Sequence, residues 1–231
     1  MNREQLRDFA VHAQALINEG AVEDRIRHYL SSRLVSIFPE YPWWVQAHMQ
    51  GTEEHVHFSS ARGNRDGFVD AVVGKTAIEY EKNLTIQGIF AEGYHQVKEY
   101  SAALCNIGIP ESEVLGVLSD TVRWYGYRVR IIDEPVEGRL LGPDNVELEQ
   151  TTFVDLSVGT DDEFARFEQF IEQFMARDES RLLNAKTLAT DFGVESSFYR
   201  ETIGVISETI QRAMQEKPDY TDLIKQVWQN F

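Results

Sequence analysis

Three acids in one short segment, Asp70, Glu79 and Glu81, have the types and the spacing to hold a hard cation. They lie in GFVDAVVGKTAIEYEKNL, two β-rich runs joined at Gly74-Lys75, a pattern that predicts a tight hairpin. Side chains two apart on a strand share a face, so Glu79 and Glu81 point the same way. The turn between Asp70 and Glu79 lets the hairpin carry all three carboxylates toward one point. Acids gathered like this repel one another unless they are protonated or neutralised by a cation. An all-oxygen donor set suits Mg²⁺ or Mn²⁺, which can polarise a phosphoryl oxygen and acidify a bound water. The plain alternative is that Glu79 and Glu81 simply face solvent. Against it, the flanks FV-D-AVV and AI-E-Y are apolar, and an acid set in such a run costs free energy unless it has a partner.

Other residues qualify more weakly. Glu23 opens a helix before the hairpin and is either an outer ligand or an ordinary first-turn glutamate. His55 and His57 stand two apart on an expected edge strand, but with no third ligand in sight they read as surface residues. Trp43 and Trp44 could stack on bases, although beside Pro42 they fit a core or an interface equally. Arg62, Arg65, Lys75, Lys82 and Lys98 are the nearest cations in sequence, either phosphate contacts or a solvated loop. Cys105 is the only cysteine, which excludes an internal disulfide and a thiolate zinc cluster, and its apolar helix end predicts a buried small side chain.

The elements that must position these residues follow from periodicity. Residues 3–19 and 21–37 repeat apolar positions at helical spacing, with Gly20 between them and Pro39 and Pro42 after them. Val56 and Phe58 hint at an edge strand, and ARGNRDG reads as a turn-rich loop. After the hairpin come a helix over 86–105, a buried strand in EVLGVLSD, and two further strands in WYGYRVRIIDE and TTFVDLSVG. The order αα-ββ-α-β-β-β predicts an α/β fold, a mixed central sheet flanked by helices, over residues 1–160. From 161 to 231 every segment reads as helix, a C-terminal extension or connector. The last pattern is still amphipathic at Phe231, which suggests that the natural polypeptide continues.

Composition narrows the function. Lys and Arg number 22 against 38 acids, a formal charge of −16, which excludes a simple basic nucleic-acid binder and predicts weak DNA affinity from this chain alone. The chain has no apolar run of roughly 18 residues that could span a membrane. Its N-terminal segment is an amphipathic helix rather than a signal peptide, so the cytoplasm is the expected compartment.

The segment GFVDAVVGKTAIEYEKNL, followed by HQVKEYSAAL and LGVLSDTVRWYGYRV, resembles the PD-(D/E)XK nuclease domains at the front of restriction–modification enzymes. Those domains carry an Asp on one strand and Glu-x-Lys on the next. A helix with Gln-x-x-x-Tyr follows, then an apolar strand ending in a Ser/Thr-Asp turn and an aromatic. The matching residues are Asp70, Glu79, Gln96, Tyr100, Ser119-Asp120 and Trp124. The resemblance covers roughly residues 20–135 and implies a restriction-endonuclease-like fold. It implies that Asp70 and Glu79 bind the metal with the backbone carbonyl of Tyr80 as third ligand, and that Gln96 sits at the edge of the site. The family's lysine falls at Glu81, and Lys82 is shifted by one. Three readings stay open: Glu81 acts as ligand or general base, a bulge turns Lys82 inward, or the site is degenerate.

The segment LLNAKTLATDFGVESSFYRETIGVISETI resembles the helical connector that leads, in fused restriction–modification proteins, to an adenine methyltransferase domain. The expectation is therefore a Mg²⁺- or Mn²⁺-dependent DNA endonuclease domain of a restriction–modification or phage-defence enzyme. Its partners would be DNA and a downstream methyltransferase domain or partner chain, with room for a homodimer. The alternative is a catalytically inert nuclease-like module for interaction or DNA positioning.

Overall fold

In the computed structural model, the described residues are 1–39, 45, 52–60, 63–175 and the helical positions 203, 206, 207 and 212. The chain divides into two compact units, Met1–Asp178 and Glu179–Phe231. The four described residues of the second unit are exposed. The first unit is an α/β fold: among the described residues, six strands form one mixed sheet flanked by helices.

Helix α1 (Arg3–Asn18) starts at Asn2, whose side chain accepts the Gln5 N–H, and buries the predicted stripe Leu6, Phe9, Ala10, Ala13, Leu16 and Ile17. Helix α2 (Glu23–Ile37) buries Ile26, Leu30, Leu34 and Ile37. The strands are β1 (Thr52–Ser60), β2 (Gly63–Val73) and β3 (Thr76–Tyr80), then β4 (Leu115–Ser119), β5 (Arg123–Ile131) and β6 (Val146–Asp155). They lie side by side in chain order. Helix α3 (Gln87–Asn106) joins β3 to β4, the one parallel pair, as a parallel pair requires a crossover. All other pairs are antiparallel.

Each face of the sheet has its own core. On one face α1, α2 and helix α4 (Asp161–Phe174) pack against Ala71, Val73, Ile78, Tyr80, Val117 and Trp124. On the other, α3 packs through Val97, Tyr100 and Leu104 against Val69, Ala77, Leu118, Tyr127 and Leu148. β3 and β4 are buried along their whole length because both faces are covered, which is why they read as nearly continuous apolar runs.

Two features differ from the sequence reading. GNRD is strand rather than loop: β2 begins at Gly63, and β1 pairs along it from Ser60↔Gly63 to Thr52↔Ala71. A long hairpin partner overrides the turn preference of Gly, Asn and Asp. Helix α4, expected to open the extension after residue 160, belongs to the first unit. Its Phe164, Phe167, Phe170 and Phe174 are buried, and Trp124 packs on Phe167 and Phe170 at 5.2 and 5.9 Å. Among the described residues no helix is long and apolar enough to cross a membrane.

Candidate functional site

The hairpin turns at Gly74-Lys75, with Val73↔Thr76 closing it and Gly74 at φ +62°, a left-handed conformation that suits glycine. The register Ala71↔Ile78 brings Asp70 alongside the far end of β3. There the Tyr80 N–H donates to Asp70 Oδ2 at 2.8 Å. A strand residue's N–H and C=O point to the same side, so the Tyr80 carbonyl also faces β2. The Tyr80 ring goes the other way, through the sheet, edge-on to Trp124 at 6.0 Å.

Alternation therefore puts Ile78 and Tyr80 in the core under α1 and α2, and Glu79 and Glu81 on the α3 face. Glu81 packs directly beneath α3. A methyl group at Gly93 would lie 2.8 Å from Glu81 Cγ and 2.6 Å from Leu118 Cδ1, so only glycine lets the helix come this close. Gln96 lies one turn before Tyr100 on α3, and its side chain interacts with the Tyr100 hydroxyl, which burial raises above its ordinary pKa and the neighbouring Glu79 raises further.

Glu79 is 5 % exposed, and its Oε2 has no hydrogen-bond partner. Burial pushes its carboxyl up to about 10, with the charges of Asp70, Glu23 and Glu81 adding to the shift and Arg27 opposing it. Glu81 is pushed up to about 7 by burial, then by Glu23, Glu92 and Asp70. Glu23, half-buried at the start of α2, is raised by burial and by Asp70. It belongs to the cluster and is more than a first-turn glutamate.

The sequence reading missed Arg27. One turn along α2 from Glu23, its Nη1 donates to Asp70 Oδ1 at 2.5 Å and its Nη2 to Asp24 Oδ1 at 3.1 Å. Its signal was present in the i, i+4 spacing from Glu23 on a helix expected to flank the hairpin.

Ser119 and Asp120, at the end of β4, build the frame of the site. Asp120 is fully buried. Its Oδ1 accepts the backbone N–H of Val122 and Arg123, and its Oδ2 accepts the Leu84 N–H and the Arg123 guanidinium. Ser119 Oγ accepts the Thr121 N–H, and Thr121 sits at φ +70°, costly for a β-branched residue. This turn clamps the loop that carries Lys82 from β3 to α3. The acids thus sit at the carboxyl ends of the parallel strands β3 and β4, where open α/β sheets place their ligand crevices.

The remaining candidates fall as follows, with Lys82 corrected and His57 on the surface as expected. The β2–β3 register runs unbroken from Val73↔Thr76 to Ala71↔Ile78, and β3 ends at Tyr80. No bulge turns Lys82 into the site; it is exposed in the bend that follows, where its charge still offsets those of Glu23 and Glu81. Lys75 is at the opposite end of β3, paired with Glu113. Arg65 is exposed, and its charge is felt by Glu99 on α3. Lys98 is half-buried. His57 is exposed and pairs with Asp66 at 2.6 Å. Cys105 is half-buried, with its thiol pushed up to about 11 by burial. Trp43, Trp44, Arg62 and the side chain of His55 lie outside the described residues.

The acids are gathered but not closed. Among the described residues no three His, Cys, Asp or Glu side chains converge on one metal-holding point. The donor chemistry nevertheless fits a hard dication. Four carboxylates, Asp70, Glu79, Glu81 and Glu23, share one electrostatic neighbourhood, and one buried oxygen among them lacks a partner. Comparison with protein-family models, with curated proteins and with solved structures gives no significant match.

Proposed function

We propose that this chain is a metal-dependent DNA endonuclease domain that hydrolyses phosphodiester bonds, from a restriction–modification or phage-defence enzyme. The observation that carries the reading is Glu79: a buried carboxylate with an unpartnered oxygen, beside Asp70 at the carboxyl end of the parallel strands. The PD-(D/E)XK resemblance of the same residues supports it. Asp70, Glu79, Glu81 and the Tyr80 carbonyl would hold Mg²⁺ or Mn²⁺, which when bound polarises a phosphoryl oxygen and acidifies a water. Glu81 serves either as one of these ligands or, left outside the coordination sphere, as the general base that accepts a proton from an attacking water. Gln96 borders the site, held through Tyr100. With a charge of −16 the domain grips DNA weakly alone, so a downstream methyltransferase domain or a partner chain, including a second copy, supplies the rest of the affinity. Such an enzyme works in the cytoplasm.

The second reading is a catalytically inert nuclease-like module. Glu81 at the family's lysine position and the Arg27–Asp70 ion pair favour it. A Mn²⁺ titration by calorimetry, with a plasmid-cleavage assay in Mg²⁺ and Mn²⁺, separates the two. The nuclease reading expects wild-type binding and cleavage, both abolished in Asp70→Ala and Glu79→Ala while the fold persists. Wild-type protein that binds Mn²⁺ yet never cuts, even fused to its downstream domain, would establish the inert module.

A further inference from the structure

We propose that Arg27 is the resident counter-cation of the acidic site, that it competes with the divalent ion for Asp70, and that once displaced it holds a phosphate of the substrate. This rests on the nuclease reading of the same site and adds the residue that couples metal binding to substrate binding.

The geometry carries it. Among the described residues, Arg27 is a cation in direct contact with an acid of the hairpin, through Nη1 on Asp70 Oδ1 at 2.5 Å. Both members of that pair are largely shielded, at 17 % and 16 % side-chain exposure, so the interaction is little screened by solvent. The other carboxylate oxygen of Asp70 already accepts the Tyr80 amide. A dication that takes Asp70 as a ligand therefore meets the guanidinium at Oδ1, and like charges at one carboxylate repel. Arg27 also has somewhere to go. Its second nitrogen, Nη2, holds Asp24, which is 83 % exposed at the first turn of α2, so the side chain already bridges the buried acid and the surface. Because Asp24 is solvated, water can replace its half of this pair when the arginine moves.

A guanidinium released next to Asp70 has the charge and the planar fork that fit a phosphate. β3 carries no cation at Glu81, and Lys82, exposed in the bend after β3, is a compact point charge without that fork. The site would then take its phosphate-binding cation from α2.

The test uses the full chain and four proteins: wild type, Arg27→Gln, Arg27→Lys and Asp70→Asn. Mn²⁺ binding is measured by calorimetry. Binding of a short duplex is measured by fluorescence anisotropy, once in Ca²⁺ to block cleavage and once in EDTA. Removing the competitor should tighten Mn²⁺ binding in Arg27→Gln by about tenfold, the size of effect that a ligand's hydrogen-bond partner typically exerts. The same variant should bind the duplex more weakly than wild type in Ca²⁺ and equally in EDTA. Arg27→Lys keeps a cation and should restore Mn²⁺ affinity toward wild type, which also controls for folding, while without the planar fork it should recover the duplex affinity only in part. A merely structural arginine would weaken Mn²⁺ binding when lost. Unchanged or weaker Mn²⁺ binding in Arg27→Gln, with wild type binding and Asp70→Asn not, overturns this inference and leaves the nuclease reading standing. Absence of Mn²⁺ binding in wild type overturns both.

Discussion

Replacing Glu79 by Gln should make the metal-free protein more stable, and by an amount that grows with pH. The unfolded chain ionises Glu79 near 4.5, whereas in the fold the same carboxyl is pushed up to about 10, by burial first and then by Asp70, Glu23 and Glu81. Below pH 4.5 the group is protonated in both states and costs nothing. Between the two values the folded protein keeps the proton and the unfolded chain releases it. Stability is thus fully present below the unfolded value and is lost as pH rises toward the folded one. The slope is about 1.4 kcal/mol per pH unit for one proton, which amounts to about 3 kcal/mol between pH 4.5 and pH 7. Gln has the shape of the protonated acid and no charge to lose, so Glu79→Gln removes this slope. Urea unfolding in EDTA at about pH 4, 5, 6, 7 and 8 reads it directly: the variant should approach wild type near pH 4 and exceed it increasingly above. Saturating Mn²⁺ should reverse the order. Ligand at 100 times its dissociation constant adds about 2.7 kcal/mol to a protein that binds it, and the variant, deprived of the ligand oxygen's charge, gains less. Parallel stability curves for the two proteins across this pH range would refute the account of Glu79 as a buried, uncompensated acid.

Other perturbations test the frame and the remaining acids. Glu81→Lys puts a cation among Glu23, Glu92 and Asp70, so it should raise the thermal midpoint in EDTA and weaken Mn²⁺ binding in calorimetry. Gly93→Ala forces a methyl group into Leu118 and Glu81, so urea unfolding should show a loss of about 1–3 kcal/mol, with cleavage reduced as Glu81 is displaced. Asp120→Ala leaves Arg123 to Asp155 and Gln14 alone and frees the backbone amides of Leu84, Val122 and Arg123. It should cost about 1–3 kcal/mol in urea for each buried donor left unsatisfied, whereas Asp120→Asn, which can still accept backbone N–H groups, should cost clearly less.

Much of this protein is legible in its sequence. Apolar periodicity marks α1, α2 and α3, and the continuous apolar runs of β3 and β4 announce strands covered on both faces. Strand alternation alone puts Glu79 and Glu81 on a common face, because the period of two is a property of the extended backbone. The two-residue turn at Gly74-Lys75 likewise follows from local chemistry, and it sets which end of β3 Asp70 reaches. Where the turn preference of single residues and strand pairing disagree, as in Gly63–Asp66, the hairpin ladder with β1 wins.

The charge balance of the site was decided by tertiary structure. Arg27 is 43 residues from Asp70 and meets it only because α2 packs across the sheet. Lys75, close to Glu79 in sequence, is carried to the other end of the strand by the rise of the extended chain. Asp120 reads as a motif residue but serves as the clamp of two loops, because hydrogen-bond partners are chosen by proximity in space. Spacing along the chain determines which acids can share a face. Packing of separate elements determines which cations can reach them, since Coulomb interactions depend on distance through the fold and on burial, and neither is a local property of the chain.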